Sequence, residues 1–336
     1  MTGRHSVLVC ALRRETLLAT SRPNMRAYPH MRTATLIVNP RAGTAQNFFR
    51  QRSRMQQLLT ANGIQSCIVE TTAAPHSARA LAAAAATASD MVIACGGDGT
   101  VHGVLQGVAH TRACLGVLPC GTANALARNL TLPPNPVTAL AKLLTFQPRQ
   151  IPLGRVTSDG ETRWFTIMAG AGPDGRLMRE MSVSHKRTLG RTAYYVEAAR
   201  LFLSHPFPTF QVTYTELGST ATQTLPVVAL LASRVPNLGG LFRALTSDSR
   251  LHHPHLVVKL LAAPARLSLP AWFASAHSGW RIPNPWLRTL QLRDLHCSVS
   301  DPSGPPVFAQ VDGEQIGSLP MSLSLESDAI RILMPS

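Results

Sequence analysis

Cys95-Gly96-Gly97-Asp98-Gly99-Thr100 is the segment whose residue types and spacing point most directly to chemistry. It follows an apolar run and precedes a helix-length stretch from Thr100. Three glycines allow a tight turn and let the backbone approach phosphate oxygens with no Cβ in the way. The helix start that follows offers unpaired N–H groups and a partial positive charge to an anion. Asp98 in that loop is placed to hold a divalent cation against the phosphates, directly or through water. Three more loops follow apolar runs in the same way: Asn39-Pro40-Arg41-Ala42-Gly43, Thr71-Thr72, and Leu118-Pro119-Cys120-Gly121-Thr122-Ala123-Asn124. Each alone also suits an ordinary turn. Four of them at four successive strand ends of a parallel sheet would converge on one crevice.

The elements that must position these loops are legible as alternating runs. Strands are expected at 33–38, 64–70, 90–95 and 113–119, with helices at 45–61, 77–88 and 100–109. A further helix is expected to start near Thr122, and another to follow Pro133, Pro134 and Pro136 as far as Phe146. Crossovers long enough for helices imply parallel strands. The alanines at 82–86 favour helix and carry no functional meaning by themselves. After Pro148 short strand-like runs recur at 150–157, 162–169, 209–216, 225–232, 255–262, 292–300, 306–314, 318–326 and 329–335, interrupted by a helix at 191–203. That spacing predicts an antiparallel sandwich or a barrel-like domain. The expected organisation is an α/β parallel-sheet nucleotide-binding domain over 32–147 and a β-rich domain over 148–336. Residues 1–31 form an extension expected to be disordered, with the true start at Met31, and 263–290 show no clear period.

Composition narrows the partners. Of 336 residues 45% are apolar, enough to bury a core, and 32 Lys+Arg against 17 Asp+Glu give a net charge of +15. Only Lys142, Lys186 and Lys259 are lysines; the remaining cations are arginines spread along the chain without a basic block. With aromatics at 5%, stacking platforms for nucleic acid are not expected, and an anionic small molecule or membrane surface is favoured. The six cysteines form no C-x-x-C pair, which suits a reduced, cytoplasmic setting. No apolar run reaches the ~18–20 residues of a membrane span.

Taken together, Asn39 to Gly43, Thr71, Gly96 to Thr100 and Pro119 to Asn124 resemble the diacylglycerol kinase catalytic-domain family, which includes bacterial lipid kinases and sphingosine and ceramide kinases. Gly170-Ala171-Gly172-Pro173-Asp174, Leu189 to Tyr195 and Asp312-Gly313-Glu314 match it too, so the resemblance runs from about 32 to 335. It implies a nucleotide domain, a lipid-binding domain whose last strands return towards the first, and an active site in the cleft between them. It implies that Asn39, Pro40, Arg41, Ala42, Gly43, Thr71, Gly96, Gly97, Gly99, Thr100, Gly121, Thr122 and Asn124 bind ATP and that Asp98 organises catalytic Mg²⁺. Asp312 and Glu314 would form the catalytic acidic pair, one of them taking the proton from a lipid hydroxyl, and Asp174 would sit near the acceptor's head group. Read without the family, Asp312-Gly313 suits a hairpin turn and Asp174 a solvated turn carboxylate.

The sequence departs from the family in places. His102 and Gly103 stand where Asn-Glu is usual, and Ala125 where bacterial members often carry Asp. Leu251-His252-His253-Pro254-His255 replaces an acidic stretch that holds a structural Mg²⁺, so that metal is not expected here. The three histidines suit a transition metal, or a solvated or phosphate-facing loop. The expected activity is an ATP-dependent lipid kinase bound peripherally to an anionic membrane, with a homodimer left open. An NAD kinase and a non-catalytic lipid- or nucleotide-binding regulator are the competing readings.

Overall fold

A computed structural model describes residues 31–184, 207–238, 246, 248–262, 268 and 284–336. The expected extension up to residue 30, the 191–203 helix, the Leu189 to Tyr195 motif and most of 263–290 lie outside the described residues. The chain divides into two compact units, one of the residues up to 151 with 328–336, the other of 152–327.

The first unit contains β1 (Thr33–Val38), α1 (Ala45–Ala61), β2 (Gln65–Glu70), α2 (Ser77–Ala88), β3 (Met91–Gly96), α3 (Asp98–Val108), β4 (Cys114–Pro119), α4 (Ala125–Asn129) and α5 (Pro136–Leu143). The strands lie parallel in the order β2-β1-β3-β4. β3 and β4 are buried along their whole length, as parallel strands covered on both faces must be. The last strand of the chain, β16 (Met321–Met334), adds its end beside β4, Arg331 opposite Cys114, also parallel. α5 begins at Asn135, whose side chain accepts from the Val137 and Thr138 amides, with Pro136 at the first helical position. The alanine run has a packing use: a Cβ at Gly103 would lie 2.8 Å from the Ala78 Cβ, and one at Gly107 2.7 Å from that of Ala82. Small residues on both helices let α3 lie directly on α2. The departure at Gly103 is therefore structural, because a glutamate there would not fit.

The second unit contains most of β5 (Gln147–Ser158), then β6 (Glu161–Phe165), β7 (Met168–Ala171), α6 (Pro173–Ser184), β8 (Phe210–Thr215), β9 (Thr222–Val227), β10 (Ala229–Ser233), β11 (Leu256–Leu261), β12 (Leu287–Leu292), β13 (Asp294–Val299), β14 (Phe308–Val311), β15 (Glu314–Ser318) and the first part of β16. One sheet runs β16-β13-β8-β9, with β5 and β6 joined to it, and the other runs β12-β11-β10-β7-β14-β15. Residues from both sheets, among them Phe165, Phe210, Leu230, Val258, Leu295 and Met321, make one apolar core. Several expected runs are divided differently. The 162–169 run breaks at Thr166 and Ile167, whose amides leave the ladder for the Asp312 carboxylate. The 225–232 run breaks at Val228, where the chain passes from one sheet to the other. Conversely, 318–326 and 329–335 contribute to the single strand β16, and α6 was not expected at all. Among the described residues no helix is long and apolar enough to cross a membrane.

Candidate active site

The four loops read from the sequence all sit at the C-terminal strand ends of the first unit, tied together by backbone bonds. The Asn39 amide donates to the Cys95 carbonyl (3.0 Å), Thr44 to Cys120 (3.0 Å), Thr71 to Val38 (2.8 Å) and Cys120 to Gly96 (3.0 Å). Asn39 Nδ2 donates to Thr100 Oγ1 (3.1 Å), joining the β1 loop to the start of α3. Thr100 is buried over Gly96, where a Cβ would come within 2.4 Å of its Oγ1. The β3 and β4 loops touch through two glycines: a Cβ at Gly121 would stand 2.4 Å from the Gly97 Cα. Asn124 takes a left-handed conformation (φ 49°), and its side chain accepts from the Gly121 amide and donates to the Gly121 carbonyl. Asn39, Thr100 and Asn124 thus fix loop shape, while Pro40, Arg41, Gly43, Gly99 and Thr122 are exposed and Ala42, Thr71 and Gly97 partly so.

Asp98 opens α3 and its Oδ1 accepts from the Ala125 amide (2.7 Å), clasping the two glycine loops. Ala125 thereby acts through its backbone, whatever its side chain. No group of three or more metal-ligating side chains occurs among the described residues. A single carboxylate fits Mg²⁺ arriving with nucleotide phosphates, which keeps water and phosphate ligands, better than a resident ion caged by protein. Burial pushes the Cys120 thiol up to about 11 and Cys95 well above its ordinary value, so neither is a thiolate nucleophile near neutrality.

In the second unit Asp312 and Gly313 form the two-residue turn between β14 and β15, both with positive φ (47° and 86°) and with Val311 opposite Glu314. The hairpin-turn reading of this pair is realised, in the primed geometry that matches strand twist. The same Asp312 is buried, and its carboxylate accepts from the amides of Thr166 (3.2 Å), Ile167 (3.0 Å) and Met168 (2.9 Å). Glu314, two residues on, is exposed. Asp174 lies in the first turn of α6, its Oδ2 accepting from Gln310 Nε2 (2.6 Å), and Gln310 Oε1 accepts from the Gly313 amide (2.9 Å). Two glycines make room: a Cβ at Gly170 would strike Asp174 Oδ2 at 2.2 Å, and one at Gly175 the Phe308 carbonyl at 2.0 Å. Burial raises the Asp174 carboxyl to about 6, against the opposing pull of the Gln310 bond. Gln310, fully buried between Asp174 and the hairpin, was not singled out from sequence. A glutamine inside the apolar run Phe308-Ala309-Gln310-Val311 was the available signal.

The site residues therefore fall into two sets. Asn39 to Gly43, Thr71, Gly96 to Thr100, Gly121, Thr122 and Asn124 are gathered in one unit, and Asp174, Asp312 and Glu314 in the other.

Comparison with known proteins agrees with the motif resemblance. The family model for the diacylglycerol kinase catalytic domain matches residues 33–156. A diacylglycerol kinase of Bacillus subtilis is 29% identical over 91% of this chain and 97% of its own. One from Mycobacterium tuberculosis is 29% identical over 77% of this chain and 82% of its own. The crystal structure of a Bacillus anthracis diacylglycerol kinase shares the fold at a TM-score of 0.63 and 18% identity, covering 91% of this chain and 97% of that one.

Proposed function

We infer that this chain, a member of the diacylglycerol kinase catalytic-domain family through residues 33–156, is an ATP-dependent lipid kinase. Its acceptor is the hydroxyl of a membrane lipid, diacylglycerol or a sphingoid base. The observation that carries the reading is the clasp of the two glycine loops by Asp98 at the start of α3. Backbone N–H groups there can hold phosphate oxygens, and a carboxylate beside them can hold the metal that accompanies a nucleotide. Bound Mg²⁺ would offset charge on the transferred phosphoryl group. In the second unit Glu314 or Asp312 accepts the proton of the lipid hydroxyl as its oxygen bonds to the γ-phosphorus and ADP leaves. Asp174 meets the lipid head group, its carboxyl raised to about 6 and so mostly ionised at neutrality. The surplus of arginine supports work from the cytoplasm on an anionic membrane surface.

One observation favours a second reading. Asp312 spends its carboxylate on three backbone amides, which suits a structural turn in a non-catalytic regulator equally well. Radiolabelled transfer from ATP across a panel of diacylglycerols and sphingoid bases, with calorimetric ATP binding beside it, separates the two. Transfer to at least one lipid is expected. Tight ATP binding without transfer to any lipid would favour the regulator.

A further inference from the structure

Residues 246 and 248–255 of the second unit lie against a charge that none of the chemistry above uses. Arg234 heads the largest fully buried side chains, at 1% exposure. Its Nη1 donates to the carbonyls of His253 (2.9 Å) and His255 (3.1 Å), and its Nη2 to those of Pro152 (3.0 Å) and Leu251. The loop is thus folded around a guanidinium. Burial lowers that group only to about 10, so it is a cation at neutral pH. Carbonyl oxygens satisfy its N–H groups without neutralising its charge, and no carboxylate pairs with it among the described residues. A buried charge left in that state is costly.

Other unpartnered polar atoms belong to the same arginine and to the loop it binds. Of seven buried side-chain N and O atoms without a hydrogen-bond partner among the described residues, five are Arg234 Nε, Thr246 Oγ1, Ser249 Oγ, His253 Nδ1 and His255 Nε2. Thr246 and Ser249 are each 1% exposed. The His253 and His255 rings lie 4.8 Å apart, and His253 is flanked by His252, 5.1 Å away. Native interiors leave few such atoms unsatisfied, so five on one buried arginine and the short loop whose carbonyls it binds call for a common partner. The set offers an N–H, two hydroxyls and two imidazoles beside a fixed positive charge. A metal ion would be repelled by that charge, and no metal-ligating cluster is present among the described residues.

We propose that this loop is an anion site that takes a tetrahedral oxyanion, either inorganic phosphate or the phosphomonoester head group of a lipid. The oxyanion neutralises Arg234 and accepts from the Thr246 and Ser249 hydroxyls.

The test uses the full chain with saturating ADP present throughout, so that the glycine loops do not compete for phosphate. Thermal unfolding and calorimetry compare sodium phosphate with sodium chloride at matched ionic strength, for wild type, Ser249→Ala and Thr246→Val. Arg234 itself is not the variant to use, because losing four carbonyl bonds can unfold the loop. Phosphate is expected to raise the wild-type midpoint by several degrees, saturably. Both variants are expected to bind it at least tenfold more weakly, with phosphate-free midpoints equal to or above wild type, since each removes an unsatisfied hydroxyl. Vesicles of phosphatidylcholine doped with phosphatidic acid or with phosphatidylglycerol then identify the source. A Ser249-dependent preference for phosphatidic acid assigns the site to a lipid head group, and a response to free phosphate alone assigns it to the soluble ion. No phosphate effect beyond that of chloride, or equal phosphate affinity in all three proteins, overturns the proposal.

Discussion

The glycine loops of the first unit and the acidic hairpin of the second reach the same end, a fixed polar group at a chain reversal, by opposite means. At the loops, position is set by what is missing: Gly97 and Gly121 touch backbone to backbone, and Thr100 fills the space a side chain on Gly96 would take. At the hairpin, position is set by buried side chains. The Asp312 carboxylate holds three amides about 145 residues away in sequence, and Gln310 bridges Asp174 to Gly313. The first design fails when atoms are added, and the second when charge or hydrogen-bonding capacity is removed.

The sharpest way to break the contrast is to add a methyl group at the loops. Gly121→Ala puts a Cβ 2.4 Å from a backbone carbon that has no room to move, whereas Gly43→Ala meets nothing within 4 Å. Gly121→Ala is expected to cost about 3 kcal/mol or more in urea unfolding and to abolish ATP binding, while Gly43→Ala stays within about 0.5 kcal/mol of wild type. Equal behaviour of the two would remove the close-contact explanation.

At the hairpin, neutralisation is the matching insult. Asp312→Asn replaces one accepting oxygen by an NH₂ group that faces a backbone amide, at an expected cost of about 2–4 kcal/mol. Glu314→Gln, at an exposed position, should leave unfolding within about 0.5 kcal/mol of wild type while turnover falls. Denaturation of the two variants side by side checks the asymmetry, and a stable Asp312→Asn protein would show the three amide bonds to be dispensable.

A smaller effect belongs to Asp174. Its carboxyl is raised from 3.8 to about 6 in the folded chain, so the folded state binds the proton more tightly than the unfolded one. The stability this proton confers is complete below about 3.8 and is lost as pH rises to about 6. Asp174→Asn is therefore expected to be more stable than wild type by about 1–3 kcal/mol at pH 8, with the gap closing towards pH 4. Urea midpoints at the two pH values decide it, and a gap that does not change with pH would contradict the buried-carboxyl explanation.

The same contrast explains what could be read from the sequence. In the first unit α1 and α2 match the expected ranges, and β1 to β4 and the start of α3 fall within two residues of them, because burial, crossovers and glycine loops are all local in sequence. In the second unit the partners are remote. Nothing near Thr166 signals that its amide will turn to Asp312, so a strand was expected to run through the break. The polar stretch Glu326-Ser327-Asp328 imitates a turn, yet β16 continues through it. Arg234 is in sequence one more arginine after an apolar strand, since its four acceptors lie between 17 and 82 residues away. Helix α6 opens on Pro173, Asp174 and Gly175, residue types that suit a turn equally well, so nothing in its first turn marks it as a helix.

The most direct test of the proposal that Asp98 and Glu314 serve one phosphoryl transfer is initial-rate transfer from ATP to its best lipid by Asp98→Asn, Glu314→Gln and the double variant. Asn at 98 keeps an oxygen for the Ala125 amide, and Gln at 314 lies in the open, so all three proteins should fold. Each single change is expected to lower kcat at least ~100-fold, and the double variant to be little worse than the poorer single, as groups serving one step behave. Near-wild-type turnover in either single variant, or no lipid phosphorylation by the wild type, would contradict it.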